Sequence, residues 1–305
     1  MAAGQGLTLT GVVTLGATPP RALTAGWVVL HRVTMTQQGP IDSARLGPGG
    51  RYRLRIAAVD STATYLVSVF HDGVAYFSQP IIPGAFARPR VDTLRVFDTT
   101  TAGPPLAVRQ RLLSVAAPKA DGSRDVLELQ ELDNPGDRTR IAADTLHPVW
   151  TGRLPAGAIQ FSVGQGDFSA EAVARHGDTV ALFGAIQPGG GRQLAYNYIL
   201  PGGTGAWMVP VDHPLEKMLI LLEDTTARVT GPGLRALGVR PIERRYFAEY
   251  EIDHVRAGAL VAVTFPHGPF RIDSLIPFIA GGLGVILALG FWWALRRAPP
   301  APPAA

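Results

Sequence analysis

From Ser274 to Leu295 the chain reads SLIPFIAGGLGVILALGFWWAL, without one charged side chain. At about 1.5 Å of rise per residue, a helix over this stretch is about 33 Å long, enough to cross the hydrocarbon core of a bilayer. The segment is apolar on every face and is followed only by Arg296, Arg297 and a Pro/Ala tail, so a helix buried in a globular core does not account for it. The sequence predicts one transmembrane helix over residues 274–295 and a short Arg/Pro/Ala tail over 296–305. Pro277 falls in the first turn, where its missing amide would be unpaired anyway, and Trp292 and Trp293 fall where an interfacial aromatic belt belongs. Ala280, Gly284 and Ala288 share one helix face and would let another membrane helix approach; the abundance of Gly and Ala in membrane helices produces the same pattern without a partner.

Arg296 and Arg297 favour a cytoplasmic C-terminus, against Arg271 on the other side of the helix. The expected placement is a single-pass protein of the inner membrane with its bulk extracytoplasmic. Residues Met1–Gly6 lack the charged and apolar regions of a secretory signal. A different start, export driven by the C-terminal helix, and a tail-anchored protein with a cytoplasmic bulk are the three readings of that beginning.

A chain of 305 residues suits two domains and an anchor. It has no cysteine, which excludes disulfides, zinc–cysteine sites and C-x-x-C-H haem attachment. The net charge of +4 comes almost wholly from arginines spread along the chain, Lys119 and Lys217 being the two lysines, and it forms no run or stripe for a phosphate backbone. Nucleic acid is not an expected partner.

Before the anchor, short runs of alternating polarity between Gly/Pro turns give an all-β pattern. In Arg51-Tyr52-Arg53-Leu54-Arg55-Ile56 a strand would bury every second residue and leave three arginines in water. Leu7, Leu9, Gly11 and Val13 form another such row, Tyr65, Val67 and Val69 a third, and Leu94 and Val96 a closing strand before a Thr/Gly/Pro linker over 99–105. Over residues 1–100, Gly11-x-Val13, Val28-x-Leu30, Gly50-x-Tyr52-x-Leu54 and Tyr65-x-Val67 resemble the carboxypeptidase-regulatory-like or transthyretin-like family. The resemblance implies a non-catalytic β-sandwich on an exported or surface protein, and its motif residues are turn and core positions that carry no functional site.

Residues 106–266 read as a second, larger sandwich, so the expected fold is all-β: two Ig-like or transthyretin-like sandwiches and one C-terminal transmembrane helix. Leu127 and Leu129 alternate with Glu128 and Gln130 in a half-buried strand pattern that leads into the turn cluster Asp133-Asn134-Pro135-Gly136-Asp137. Val180, Leu182, Gly184 and Ile186 are expected to form a hairpin with Leu194, Tyr196, Tyr198 and Leu200 across a Pro188–Gly191 loop. Apolar strands are expected over 219–222 and 260–264, with a small insertion between Gly231 and Arg245.

Candidate chemistry is sparse. His213 and Glu216 have a His-x-x-Glu spacing, but Pro214 between them makes a loop, and a further histidine would be needed for zinc. Glu131, Asp133 and Asp137, with Asn134, offer oxygen ligands for Ca²⁺, and turn formation explains the same residues. Gly164-x-Gly166 and Gly189–Gly191 follow no strand-to-helix context, so they read as turns and not phosphate cradles. Ser162 lacks the glycine and helix of a nucleophile elbow. Tyr76 and Phe77, and Tyr246, Phe247 and Tyr250 beside Arg244 and Arg245, are half-buried strand residues, interface hot spots or sugar platforms.

No enzyme activity, cofactor or metal is expected. The expected role is a membrane-anchored accessory or scaffolding subunit that stabilises a larger complex of integral membrane proteins in the lipid bilayer, a respiratory or photosynthetic electron-transfer assembly being one host suited to a periplasmic bulk. The alternative is an independent surface protein that recognises polysaccharide or another protein.

Overall fold

Strand β5 (Arg51–Ile56) buries Tyr52, Leu54 and Ile56 and exposes the three arginines between them, as the alternation requires. It lies antiparallel to β1 (Leu7–Leu15), where Leu9 faces Leu54 and Gly11 faces Tyr52. Gly11 has to be glycine because a Cβ there would sit 2.3 Å from the Tyr52 hydroxyl. The same strand β1 also pairs with β2 (Arg21–Ala22) and, in parallel, with β8 (Leu94–Val96). A second sheet runs in the order β4 (Gln38–Arg45), β3 (Trp27–Val33), β6 (Thr64–His71), β7 (Val74–Phe77). Leu9, Val13, Leu54 and Ile56 of the first sheet and Val28, Leu30, Tyr65, Val67 and Val69 of the second share one hydrophobic core. The two sheets therefore make a β-sandwich.

This computed structural model describes residues 6–16, 19–82, 91 and 93–265. The expected transmembrane helix, with Ala280, Gly284, Ala288, Trp292 and Trp293, and the tail with Arg296 and Arg297 lie outside the described residues. Among the described residues no helix is long and apolar enough to cross a membrane, and the secondary structure is almost wholly strand.

The stretch expected as a linker opens with β9 (Thr99–Thr100), which pairs in parallel with β12 (Thr139–Arg140). Around it, the buried Tyr76 hydroxyl donates to the Phe97 carbonyl at 2.6 Å and meets the Thr139 hydroxyl at 2.8 Å. Asp72 accepts from the Thr99 amide and hydroxyl, and His71 lies 3.0 Å from Asp98.

Beyond this junction a seven-stranded sheet runs β14 (Ile159–Val163), β17 (Arg192–Leu200), β11 (Arg124–Asp133), β10 (Ala107–Val115), β19 (Leu215–Leu222), β22 (Arg245–Val255), β21 (Arg235–Ile242). Two three-stranded sheets accompany it: β13 (Trp150–Arg153), β16 (Thr179–Leu182), β15 (Val173–His176), and β18 (Ala206–Val209), β23 (Val261–Thr264), β20 (Arg228–Thr230). The described residues through Thr264 belong to one compact unit.

Two expectations for this half are corrected. Strand β16 pairs with β13 and β15, while β17 pairs with β11 and β14, so the expected hairpin does not form although both strands do. Nine residues separate them, 183–191, too many for a tight turn, and Ile186 is drawn off to bridge Arg140. In β11 the phase is inverted: Glu128 and Gln130 are buried with Val126 and Leu132, and Leu127 and Leu129 are only partly covered. The reversal at 133–137 is as expected, with the Asn134 carboxamide oxygen accepting from the Gly136 amide at 3.0 Å.

Candidate functional site

The inverted phase of β11 places a charge in the core. Glu128 is fully buried, and Arg111 of β10, 4% exposed, brings its Nε to 2.8 Å from the Glu128 carboxylate. The Tyr196 hydroxyl donates to the same oxygen at 2.5 Å, Gln130 donates to it at 2.7 Å and to the Tyr196 oxygen at 2.9 Å, and the Tyr198 hydroxyl lies 3.4 Å from the other carboxylate oxygen. Arg111 also donates to the Pro210 carbonyl. A cavity of about 10 Å³ beside Arg111, Gln130 and Trp150 is too small for any substrate. The network is structural: the Glu128 charge is offset by Arg111 and by the donors of Tyr196 and Gln130.

Burial, with the Glu128 charge second, pushes the hydroxyl pKa values of Tyr196 and Tyr198 well above that of free tyrosine; burial also raises those of Tyr52 and Tyr76. A folded-state pKa raised above the unfolded value contributes stability that is fully present below about pH 10, the unfolded value, and is lost as pH rises beyond it. Unfolding free energy is therefore expected to fall above about pH 10 by about 1.4 kcal/mol per pH unit for each buried tyrosine that stays protonated. Tyrosinate absorbance followed through an alkaline titration checks this. Ionisation of Tyr196 and Tyr198 should appear together with unfolding, and their earlier titration in the folded chain would contradict it.

The surface feature with binding character lies on the outer face of the sheet β4–β3–β6–β7. Trp27 is 52% exposed, Phe70 68% and Phe77 57%. Val28 pairs with Val69, and Ser68 with Phe77, which brings Trp27 and Phe70 onto neighbouring strands and sets Phe77 one row along. The Arg45 guanidinium stands 5.1 Å over the Trp27 ring. His31 Nε2 is 2.8 Å from the Ser68 hydroxyl, and its ring is 6.2 Å from that of Phe77. At 150–250 Å² per aromatic side chain, these exposures leave roughly 250–450 Å² of ring surface in water, about the largest apolar patch a monomer ordinarily shows.

Of the aromatic candidates read from the sequence, Phe77 belongs to this face, and its neighbour Tyr76 is core. Trp27 and Phe70 were not singled out, although their phase was the signal: each sits out of step with the buried residues of its own strand, Val28 and Leu30, or Val67 and Val69. Tyr246 is exposed, Phe247 is buried, and the half-buried Tyr250 donates to the Ala227 carbonyl at 3.3 Å. Among the described residues no three His, Cys, Asp or Glu side chains gather as a metal site. Asp133 instead accepts from Arg109 at 2.7 Å, Glu131 packs against Gly191, and Asp137 is exposed. His213 binds the Thr151 carbonyl at 2.6 Å and packs on Trp150, while Glu216 is exposed. Ser162 is exposed on β14, and a Cβ at Gly166 would meet the Gln193 carbonyl at 2.6 Å, so that glycine serves close backbone approach.

No protein-family model and no curated protein matches the chain. An M1 zinc metallopeptidase from Deinococcus radiodurans, solved as a point mutant, is similar over 54% of this chain and 43% of its own length, with 10% identity and a TM-score of 0.36. The same enzyme solved without that mutation gives 11% identity and a TM-score of 0.33, again covering 54% of this chain and 43% of its own. A marsupial T cell receptor is similar over 68% of this chain and 85% of its own, with 10% identity and a TM-score of 0.19. The chain thus spans less than half the length of the metallopeptidase, and likenesses of this size place it in no family.

Proposed function

We propose that this protein is a non-catalytic accessory subunit, held in the inner membrane by residues 274–295 with its bulk extracytoplasmic, that docks a partner membrane protein through the Trp27–Phe70–Phe77 face. In this reading residues 1–100 are a carboxypeptidase-regulatory-like or transthyretin-like sandwich and residues 106–266 a second, Ig-like one. The observation that carries the proposal is the aromatic face itself. Its rings cost free energy in water, and Trp27 with Arg45 stacked on it are residue types enriched in interface hot spots. A specific interface covers about 800 Å² on each partner, so the rings would form the centre of a larger footprint. A second reading, recognition of a polysaccharide, is favoured by one observation: His31, Ser43 and Ser68 share this sheet with the rings and offer hydrogen bonds to hydroxyls.

The test is extraction of the native membrane in mild detergent, capture of the tagged chain, and measurement of the mass and stoichiometry of what it holds. The wild type should retain integral membrane proteins in fixed ratio. The double variant Trp27→Ala, Phe70→Ala should lose them by at least about 30-fold, the effect of removing a hot spot of about 2 kcal/mol, with its thermal midpoint unchanged. A wild-type chain recovered alone would sink the subunit reading and make binding to a glycan array the next measurement.

A further inference from the structure

We infer that the hairpin of β21 and β22 is a second membrane contact, its tip entering the interfacial layer of the bilayer that takes up residues 274–295. The inference rests on the anchored reading above and adds to it an element that reads the membrane surface. Strand β21 is the edge of the seven-stranded sheet and is exposed at all eight positions. Along it and round the turn stand Leu237 (46% exposed), Val239 (55%), Ile242 (43%) and Tyr246 (64%).

The register shows where the tip lies. Arg228 pairs with Thr264, and the Tyr250 hydroxyl reaches the Ala227 carbonyl, so Tyr250 stands about level with the end of β23. A Cβ at Gly231 would touch both Ile252 and Val261, which puts the start of β23 level with Ile252, so β23 runs towards the tip. From Tyr250 the hairpin continues five residues to Arg245, roughly 17 Å at the strand rise, past the point where β23 ends. The chain then has nine residues, 265–273, before the apolar segment, and they span at most about 32 Å. The bilayer surface is therefore within about 32 Å of Thr264, the end of β23 that lies nearer the hairpin tip.

Two features select lipid over a protein strand as the occupant. Pro241 lacks an amide donor, and Gly238, at φ +97°, makes a bulge between Ala236 and Gly238, so the free edge is a poor template for strand addition. Tyr beside Arg, with aliphatic neighbours, is the composition of a membrane–water interface. The three arginines at 240, 244 and 245 are offset by Glu223, Glu243 and Glu249, with Arg240 3.1 Å from Glu249 and Arg245 3.5 Å from Glu223. The contact is thus made by apolar insertion and does not require anionic lipid.

The chain has no cysteine, so single substitutions place a nitroxide at chosen points of the full-length protein in phosphatidylcholine vesicles. Tyr246→Cys reports the tip, Leu287→Cys the anchor, and Phe70→Cys a reference site in water. Collision rates with oxygen and with a water-soluble nickel chelate measure depth. The expected oxygen-to-nickel ratio at 246 is at least about fivefold that at 70 and below that at 287. A ratio at 246 equal to that at 70, with 287 deep, overturns the hairpin contact and leaves the anchor standing. Low collision with both reagents at 246 means burial against protein and also overturns it. A water-like ratio at 287 overturns the anchor, and the hairpin inference with it.

Discussion

Arg111→Met is expected to lower the unfolding free energy by about 3–5 kcal/mol, because it strands the fully buried Glu128 carboxylate without its counter-charge. The hydroxyl of Tyr196 and the amide of Gln130 would still donate to Glu128, but two neutral donors do not replace a cation in a medium of low polarity. The companion variant Arg111→Met, Glu128→Gln removes both charges and keeps an acceptor for Tyr196 and Gln130. It should recover at least about half of the loss, since replacing a buried ion pair by neutral groups is often close to neutral. Urea unfolding of the detergent-solubilised chain, followed by tryptophan fluorescence, measures both. A loss below about 1 kcal/mol for Arg111→Met would show that the Arg111–Glu128 contact contributes no more than an ordinary hydrogen bond.

Gly50→Ala is expected to cost about 3 kcal/mol or more, and Gly49→Ala about 1 kcal/mol, although the two residues have nearly the same backbone conformation, φ +70° and +69°. The difference is space. A Cβ at Gly50 would lie 2.2 Å from the Val13 carbonyl oxygen, so β1 and the 48–50 turn would have to separate; a Cβ at Gly49 meets nothing closer than the Arg51 Nε at 3.9 Å. Equal losses in the two unfolding curves would mean that backbone strain alone sets the cost and that β1 yields freely.

Those two sites also mark how far the sequence could be read. The first sandwich was legible because its strands have one wet face and one dry one: Tyr52, Leu54 and Ile56, Tyr65, Val67 and Val69, and Leu94 and Val96 are all buried where alternation put them. The seven-stranded sheet defeats that rule. On β11 the inward positions hold Glu128 and Gln130, and only the arginine on β10 and the tyrosines on β17, distant in sequence, make that phase favourable. The hairpin at 180–200 was misread because two apolar runs close in sequence were paired with each other, when β11 offered Tyr196 and Tyr198 the polar partner that buried hydroxyls need. Among the aromatic residues, Phe77 was visible as a candidate, whereas Trp27 and Phe70 needed the strand phase to be carried through to its outer face. Whether Tyr246 or Phe247 is the exposed member of that pair depends on the place of β22 in the sheet, which no local pattern encodes.

The hydroxyl of Tyr76 spans the junction of the two strand systems, held by Phe97 on one side and Thr139 on the other, with Asp72 gripping Thr99 beside it. A chain jointed by a floppy tether must surrender its freedom of rotation each time a neighbour takes hold of one end. Here that loss is taken once, when the chain folds, because Tyr76 and Asp72 tie the outer sheet of the first sandwich to the β9–β12 pair.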